Sequence, residues 1–282
     1  MICPNCNYIE KNKDIITCRV CGTRLIAGDI NENKGDANIQ QAEVPKDNIP
    51  DVQSFTVNGV SFNMIRVKGG TFMMGYHGPI HGSSSYPPLH QVTLDNFFIG
   101  EIPVTKDLWN AVMGENAWVR NPIYQHQPDD ISPLAAVSGL DWEQCKEFID
   151  EISILTNTSF RFPTEAEWEF AARGGNLSRN CKYSGTNSLM KVGGQLFDPV
   201  KLGIPNELGI YDMSSTCHEW CYDWWHYDVK EPEVNPRWEY NSKNSGAYDH
   251  VIRCARQPVW FRLYCSTKYD HPPLEVGLRL AI

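Results

Sequence analysis

The stretch RFPTEAEWEFAARGG, Arg161–Gly175, carries the clearest helix signals in the 282-residue sequence. Thr164 is a residue type that caps helix N-termini, and Glu167, three residues later, completes the pattern of a capping box. Gly174 suits the left-handed position at which many helices end. The stretch therefore predicts a short helix that begins after Thr164, with an apolar stripe made of Trp168, Ala171 and Ala172.

Outward from this helix, the preceding sequence predicts two more helices. One begins at Thr105, and the other at Asp141, where Gln144 is compatible with a capping box. The apolar residues after Asp141 recur at helical spacing and should face the core: Trp142, Cys145, Phe148, Ile149 and Ile152.

Short strands are predicted before the first of these helices, and turns after the last. The segment VNGVSFNMIRV, 57–67, alternates around Asn58-Gly59, which is a strong signal for a β-hairpin. The segment QVTLDNFFIG, 91–100, predicts further short strands. Beyond Gly175, turns, prolines and aromatic residues replace the helical patterns, so we predict a loop-rich α+β domain.

The composition supports a packed core and excludes several classes of function. Hydrophobic residues make up 41% of the chain and aromatic residues 11%, which excludes global disorder. The net charge of −9 provides no basic field for a nucleic-acid backbone. No apolar run reaches the roughly 18–20 residues of a membrane span, and the N-terminus lacks the basic and apolar regions of a secretory signal. We therefore expect a cytoplasmic protein with no nucleic-acid partner and no membrane span.

Four of the ten cysteines form two C-x-x-C pairs within the first 21 residues. Two such turns supply the four thiolates of a tetrahedral zinc site. We therefore predict that residues 1–26 form a zinc ribbon, with structural zinc held by Cys3, Cys6, Cys18 and Cys21. Because a segment of this length cannot bury a hydrophobic core, metal binding would supply its folding energy. With its zinc the ribbon is close to neutral, which favours a structural or protein-docking module over a nucleic-acid clamp.

The segment that follows the ribbon, residues 27–52, is polar and has no apolar periodicity. It contains two prolines together with several Gly, Asn and Asp residues, a composition typical of a flexible linker. The sequence thus divides into a zinc ribbon at 1–26, a linker at 27–52 and one large domain at 53–282.

Four stretches of the large domain resemble the formylglycine-generating-enzyme family, also called sulfatase-modifying factors. They are Phe62–Gly75, Arg161–Gly175, Asn206–Trp225 and Gly277–Ala281, and their order and spacing are those of the family. The resemblance implies a C-type-lectin-like α+β fold with little regular structure. It leaves the function open, because some members oxidise a sulfatase cysteine to formylglycine with copper and oxygen, whereas others bind ligands. Among the latter are bacterial variable proteins of diversity-generating retroelements, whose C-terminal loops form the diversified binding surface.

The copper enzymes of the family hold their metal with two cysteines that follow an R-G-G-S-like motif, since soft sulfur selects Cu(I). Counting from Arg253, the resemblance places these cysteines at Val259 and Tyr264, and neither is a cysteine. Cys265 lies one residue beyond the second position, and Cys254 takes a glycine position of the motif. A formylglycine-generating oxidase with a rearranged pair, Cys254 and Cys265, is therefore the alternative function, and a pair of packed thiols without catalytic function is the simpler interpretation.

The resemblance also implies a calcium site, in which a G-N-x-W-E-W turn supplies an Asn and a Glu as oxygen ligands. In this sequence the turn Ser215–Trp220 keeps Glu219 but has Thr216 at the Asn position. Glu219 is thus either a calcium ligand or a hydrogen-bonded anchor of the turn. Three neighbouring side chains would instead suit a softer metal: Cys217, His218 and Cys221.

The departure from the family pattern is strongest between Arg253 and Gly277, beside a C-terminal ending that is kept. A kept framework next to a divergent loop resembles the variable proteins, and Tyr, Trp and Arg are the usual hot-spot residues of binding surfaces. We therefore predict a non-catalytic protein that binds a protein or small ligand through this surface. The predicted ligand-binding residues are Arg256, Gln257, Trp260, Phe261, Arg262, Tyr264, Lys268, Tyr269 and His271.

The divergent segment is also compatible with two different roles. It could be a drifted loop without function, or it could belong to a regulatory scaffold in which the zinc ribbon makes the docking contact.

Overall fold

The computed structural model describes residues 51–76, 89–114, 131–226, 232–240, 249–253, 255–266 and 275–282. The chain divides into two units between Pro50 and Asp51, and the described residues all belong to the second unit. The predicted zinc ribbon and most of the predicted linker lie outside the described residues, so both stay predictions. None of the described helices is long and apolar enough to cross a membrane.

Short strands and three α-helices make up the regular structure of the described residues. In chain order they are β1 (Val52–Val57), β2 (Val60–Val67), β3 (Gly70–Met74), β4 (His90–Leu94), β5 (Phe97–Gly100), α1 (Lys106–Met113), α2 (Trp142–Thr156), α3 (Glu165–Ala172), β6 (His218–Trp224), β7 (Glu233–Val234), β8 (Asp249–Arg253), β9 (Arg262–Ser266) and β10 (Val276–Gly277).

The strands form three small sheets, with the orders β1-β2-β5, β3-β4-β7 and β10-β6-β8-β9. Neighbouring strands run antiparallel except for the pairs β4–β7 and β6–β10, which are parallel. Short mixed sheets joined by long irregular segments confirm the predicted loop-rich α+β class.

The hairpin predicted at Asn58-Gly59 is present. Strands β1 and β2 pair antiparallel, with Val57 opposite Val60 across a two-residue turn. Asn58 and Gly59 both have positive φ angles, 47° and 86°, which is the conformation that a type I′ turn requires. Strand β1 begins at Val52, the last residue of the predicted linker.

The first two helices begin at the predicted caps. Thr105 is the N-cap of α1, and Asp141 forms a capping box with Gln144 at the start of α2. The Asp141 carboxylate accepts the Gln144 N–H at 2.7 Å, and the Gln144 side chain accepts the Asp141 N–H at 3.0 Å. The buried face of α2 is the predicted one apart from half-buried Trp142, and consists of Cys145, Phe148, Ile149 and Ile152.

The third helix begins as predicted but is buried on every side. Thr164 and Glu167 form the capping box of α3, and Gly174 adopts a φ of 93° just beyond its end. The predicted apolar stripe of Trp168, Ala171 and Ala172 is buried, and burial extends to all eight residues of α3, including Glu165 and Glu169. Carboxylates normally mark the solvated face of a helix, but here buried arginines pair with them.

The segment after Gly175 contains more sheet than the sequence suggested. Its strands β6, β8, β9 and β10 form one four-stranded sheet, although irregular segments separate them along the chain. Trp220 in β6 and Trp225 just after it are each 1% exposed, so these aromatic residues belong to the core. In this sheet β8 pairs with β6 on one side and on the other with β9, which lies within the divergent segment.

Candidate ligand-binding site

Buried ion pairs connect α3 to the C-terminal sheet. The Arg253 guanidinium donates to Glu165 at 2.8 Å and to Glu169 at 2.7 Å, and Arg262 donates to Glu165 at 2.9 Å. Burial alone would raise the pKa of Glu165, but the charges of Arg262 and Arg253 outweigh it and hold this pKa at about 2. The network keeps the carboxylate ionised inside the core and fixes the start of the divergent segment.

Glu219 lies in a second buried pair. Its two oxygens accept hydrogen bonds from the Arg279 guanidinium, at 2.8 to 3.1 Å, and one also accepts the Trp168 indole N–H at 2.6 Å. A carboxylate held by a guanidinium does not fit a calcium site, whose ligands are carboxylates and carbonyls facing the ion. These contacts favour the role of anchor for Glu219.

The described residues also offer no arrangement for a softer metal. Nowhere among them do three or more His, Cys, Asp or Glu side chains come together in a way that could hold an ion. Burial raises the pKa of the Cys217 and Cys221 thiols, which disfavours the thiolate form that binds metals.

Of the two positions at which the resemblance expects copper ligands, one lies in the hydrophobic core and the other in strand β9. Val259 is 1% exposed and belongs to the hydrophobic core, and its N–H donates to the Lys182 carbonyl at 3.0 Å. Tyr264 and Cys265 lie in β9, opposite Val251 and His250 respectively. Cys254 lies outside the described residues, so the proposed pair with Cys265 stays a prediction.

An open cleft of about 420 Å³ lies beside the divergent segment. We call it the C-terminal cleft, because one side of it is formed by Ala255, Arg256, Gln257, Phe261 and Leu263. Three of these were predicted as ligand-binding residues, namely Arg256, Gln257 and Phe261. Arg256 and Gln257 are exposed, whereas Phe261 is half-buried. The structure therefore brings three of the predicted residues together around one concave surface.

The rest of the C-terminal cleft comes from distant parts of the chain, and the sequence analysis did not assign these residues to a ligand site. They are Gln195, Leu196, Thr216, His218 and Glu275. No sequence pattern connects them with the 255–263 segment, because tertiary folding alone brings them there. Two of them carried a signal for a different kind of site: Thr216 occupies the position at which the family's turn has an Asn, and His218 was a candidate ligand for a softer metal.

His218 joins the two sides of the cleft. Its Nδ1 accepts the N–H of Ala255 at 2.9 Å, and its Nε2 lies 3.2 Å from a Glu275 carboxylate oxygen. Because Nδ1 accepts, the neutral ring carries its proton on Nε2 and donates it to Glu275. Burial lowers the pKa of His218, which favours this neutral form.

Two other predicted ligand-binding residues are packed elsewhere. Trp260 is half-buried and stacks on Tyr76 at a centroid distance of 5.3 Å, with the Arg173 guanidinium 5.7 Å from its ring. Arg262 is 2% exposed, binds Glu165 and lies over the Trp225 ring, so its assignment to the exposed binding surface was wrong. An arginine in a divergent loop is normally expected at the surface, but here it neutralises a buried carboxylate.

The structure does not describe the side chains of the remaining four predicted ligand-binding residues, so these stay predictions. Tyr264 has its backbone in β9. Lys268, Tyr269 and His271 lie outside the described residues.

Comparison with known proteins identifies the class of this domain. Residues 50–281 match the family described as the Sulfatase-modifying factor enzyme 1-like domain, so the chain belongs to this family. The match confirms the resemblance drawn from the four sequence stretches.

The relatives that the chain resembles in sequence are named for different functions. The chain is 30% identical over 220 residues to the chaperone protein LppX of Paenibacillus barcinonensis, a match that covers 62% of this chain and 75% of that protein. It is 25% identical over 290 residues to the formylglycine-generating enzyme of Thermomonospora curvata, which covers 79% of this chain and 94% of that enzyme. It is also 29% identical to the serine/threonine-protein kinase pkn1 of Chlamydia pneumoniae, a match that covers 74% of this chain but only 34% of the kinase.

Solved structures share the fold. Treponema denticola variable protein 1 superimposes with a TM-score of 0.68 at 24% identity, over 83% of this chain and 99% of that one. PvdO from Pseudomonas aeruginosa gives a TM-score of 0.59 at 21% identity, over 78% and 93% of the two chains. At this identity the likeness establishes the formylglycine-generating-enzyme-like fold and leaves the function to the site.

Proposed function

We propose that the chain is a non-catalytic binding protein that takes a small ligand or a segment of a protein in the C-terminal cleft. The observation that carries this proposal is the position of Arg256, Gln257 and Phe261. These residues were selected from sequence as part of a divergent, hot-spot-rich segment, and they line one concave surface beside a rigid buried network. Loops displayed on a rigid scaffold are the usual place for binding residues.

We further propose that the protein belongs to the variable proteins of diversity-generating retroelements. Two observations support this. The fold resembles that of Treponema denticola variable protein 1, and the departure from the family pattern is concentrated between Arg253 and Gly277. A reverse-transcriptase gene next to this gene, with a near-repeat of its 3′ end, is the expected genomic arrangement. A neighbouring sulfatase gene would favour the enzyme instead.

Binding through the cleft is tested by ligand-observed NMR with a fragment set of small acids, amides and amines. Saturation-transfer signals seen with the wild-type chain should be lost in the double variant Arg256→Ala/Phe261→Ala, because both side chains line the cleft. The melting temperature should change little, since Arg256 is exposed and Phe261 is only half-buried. The matched control is Arg179→Ala, which removes an exposed arginine outside the cleft. Equal signals in the wild-type chain and the double variant would contradict the proposal.

A copper-dependent formylglycine-generating oxidase is the second candidate, favoured by the similarity to the Thermomonospora curvata enzyme. With copper, oxygen and a Cys-x-Pro-x-Arg peptide, we expect no formylglycine by mass spectrometry, because buried Val259 stands where a copper-binding sulfur is required. Turnover that disappears in a Cys265→Ser variant would overturn the non-catalytic assignment.

We propose a structural zinc in the N-terminal ribbon and a cytoplasmic location for the chain. The described cysteines Cys145, Cys181, Cys217 and Cys221 are free thiols, which is usual in a reducing compartment. Elemental analysis of protein purified without chelator should find about one zinc per chain. Removal of residues 1–50 should abolish the zinc and leave the melting transition of the 51–282 unit in place. A full-length chain without zinc would contradict this proposal.

A further inference from the structure

We infer that the C-terminal cleft is built for a ligand that carries a carboxylate on an apolar body. The inference rests on the proposed function and specifies the chemistry of the same site. It is carried by unpartnered hydrogen-bond donors that face the cleft, by its apolar wall and by two residues held in a strained backbone conformation.

The Thr216 hydroxyl is the buried polar group that points to a ligand. Thr216 lines the cleft and is 4% exposed, and its hydroxyl makes no hydrogen bond to a nitrogen or oxygen atom of any described residue. Its neighbour among these residues is the Cys217 thiol, whose sulfur is only a weak hydrogen-bonding partner. Since buried hydroxyls in native proteins are normally satisfied, an unsatisfied one in a cleft is expected to meet a ligand or an ordered water.

Two further donors face the same space. The side chains of Arg256 and Gln257 are exposed at the cleft and make no hydrogen bond or ion pair with a described residue. Together with Thr216 they give the cleft lining a guanidinium, an amide and a hydroxyl, each of which can donate to a carboxylate oxygen. Arginine in particular binds carboxylates through two parallel hydrogen bonds.

The acidic group of the cleft, Glu275, already has a hydrogen-bond partner. The Glu275 carboxylate lies 3.2 Å from the His218 ring nitrogen, so part of its hydrogen-bonding capacity is already used. No donor of the Arg256 side chain is engaged by a described residue in this way. Of the two charged side chains in the cleft lining, Arg256 is therefore the one whose hydrogen-bonding groups have no partner among the described residues.

The apolar wall fits the remainder of such a ligand. Leu196, Phe261 and Leu263 are the large apolar residues of the cleft lining. Its volume of about 420 Å³ lies within the range of roughly 300–1,000 Å³ that is usual for small-molecule sites. A carboxylate at Arg256 would leave the apolar body against these three side chains.

Backbone strain is concentrated at the same place. Four described residues other than Gly, Asn and Asp have positive φ, namely Phe197, Lys201, Thr216 and Arg256. Thr216 and Arg256 line the cleft, and Phe197 directly follows Leu196 in its wall. A positive φ is especially unfavourable for a β-branched residue such as Thr216. Strain of this kind persists mainly at functional sites, where the surrounding structure enforces it.

A carboxylate on an apolar body could come from a free small acid or from the C-terminus of a polypeptide. Three probes distinguish the carboxylate and its source in calorimetric titrations. They are N-acetyl-L-phenylalanine, the corresponding uncharged amide, and a hexapeptide that ends in phenylalanine with a free carboxylate. A tighter hexapeptide indicates a polypeptide terminus, and a tighter N-acetyl-L-phenylalanine indicates a free acid.

We expect the acid to bind at least about tenfold more tightly than the amide, as charge-assisted hydrogen bonds predict. Arg256→Gln should abolish this preference, and the isosteric Thr216→Val should weaken binding of the acid by about fivefold or more. The control Arg179→Gln, which removes an exposed arginine elsewhere, should change neither value. If Thr216→Val fails to fold, the exposed-site variants Arg256→Gln and Gln257→Leu still test the inference.

Several results would overturn the inference that the cleft binds a carboxylate. Equal affinity for the acid and the amide, or a preference for the acid that survives Arg256→Gln, would show that the carboxylate is not recognised at Arg256. Absence of binding by all three probes would also refute it. If neutral or cationic fragments nevertheless compete at the cleft, the proposed binding function stands and only the carboxylate inference fails.

Discussion

Replacing Arg279 with alanine should destabilise the domain by about 3–5 kcal/mol, because it leaves the carboxylate of Glu219 buried without a counter-charge. Arg279 is fully buried, and its guanidinium also donates to the carbonyls of Gly100 and Tyr211, at 2.8 and 2.9 Å. Those two carbonyls would lose their partner as well. Urea unfolding at neutral pH, followed by tryptophan fluorescence, measures the change in the free energy of unfolding.

The matched control for Arg279 is Arg179→Ala. Arg179 also pairs with a glutamate, Glu207, but its side chain is 63% exposed. Water screens the pair, so its loss should hardly move the unfolding midpoint. If Arg279→Ala and Arg179→Ala had equally small effects, the buried network would not stabilise the domain as described.

Replacing Phe148 with alanine should cost about 3–5 kcal/mol through the cavity that it leaves in the core. Phe148 lies on the buried face of α2, has no exposed surface and stacks on Trp109 with ring centroids 4.8 Å apart. Its neighbours are rigidly packed, so they can fill the space only partly. The same urea unfolding measures the loss.

Ile154→Ala on the same helix is the control for Phe148. Ile154 is 72% exposed, so the substitution removes little buried surface and should lower the free energy of unfolding only slightly. A similar loss for Ile154→Ala and Phe148→Ala would contradict the assignment of the buried face of α2.

Local signals in the sequence were sufficient to place the helices and the first hairpin. Each of the caps Thr105, Asp141 and Thr164 lies within three residues of the group with which it interacts. The Asn58-Gly59 turn likewise joins two residues, Val57 and Val60, that are only three apart in the sequence. The spacing of residues in the sequence is enough to identify such interactions. For this reason the three helices and the hairpin begin where they were predicted.

Ion pairs between residues far apart in the chain could not be predicted from the sequence. Arg253 binds Glu165 across 88 residues, and Arg262 binds it across 97, so a charged helix proved to be buried and a presumed surface arginine proved to be internal. Hydrophobic periodicity assigns charged side chains to solvent, and it fails where opposite charges are buried together.

The candidate site was predictable only in part, for the same reason. Arg256, Gln257 and Phe261 were identified because they lie in one divergent segment. Thr216 and His218 join them through the pairing of β6 with β8 and through the hydrogen bond that the Ala255 N–H donates to His218, neither of which has a local signature.

The central claim, that the C-terminal cleft is the binding site, is tested most directly by a map of backbone amide chemical shifts. The ¹⁵N-labelled chain is titrated with fragments that give saturation-transfer signals. We predict that the shift changes concentrate at residues 195–196, 216–218 and 255–263 and at Glu275. Changes confined to other surfaces, such as residues 232–240 or the outer face of α2, with none around the cleft, would contradict the claim.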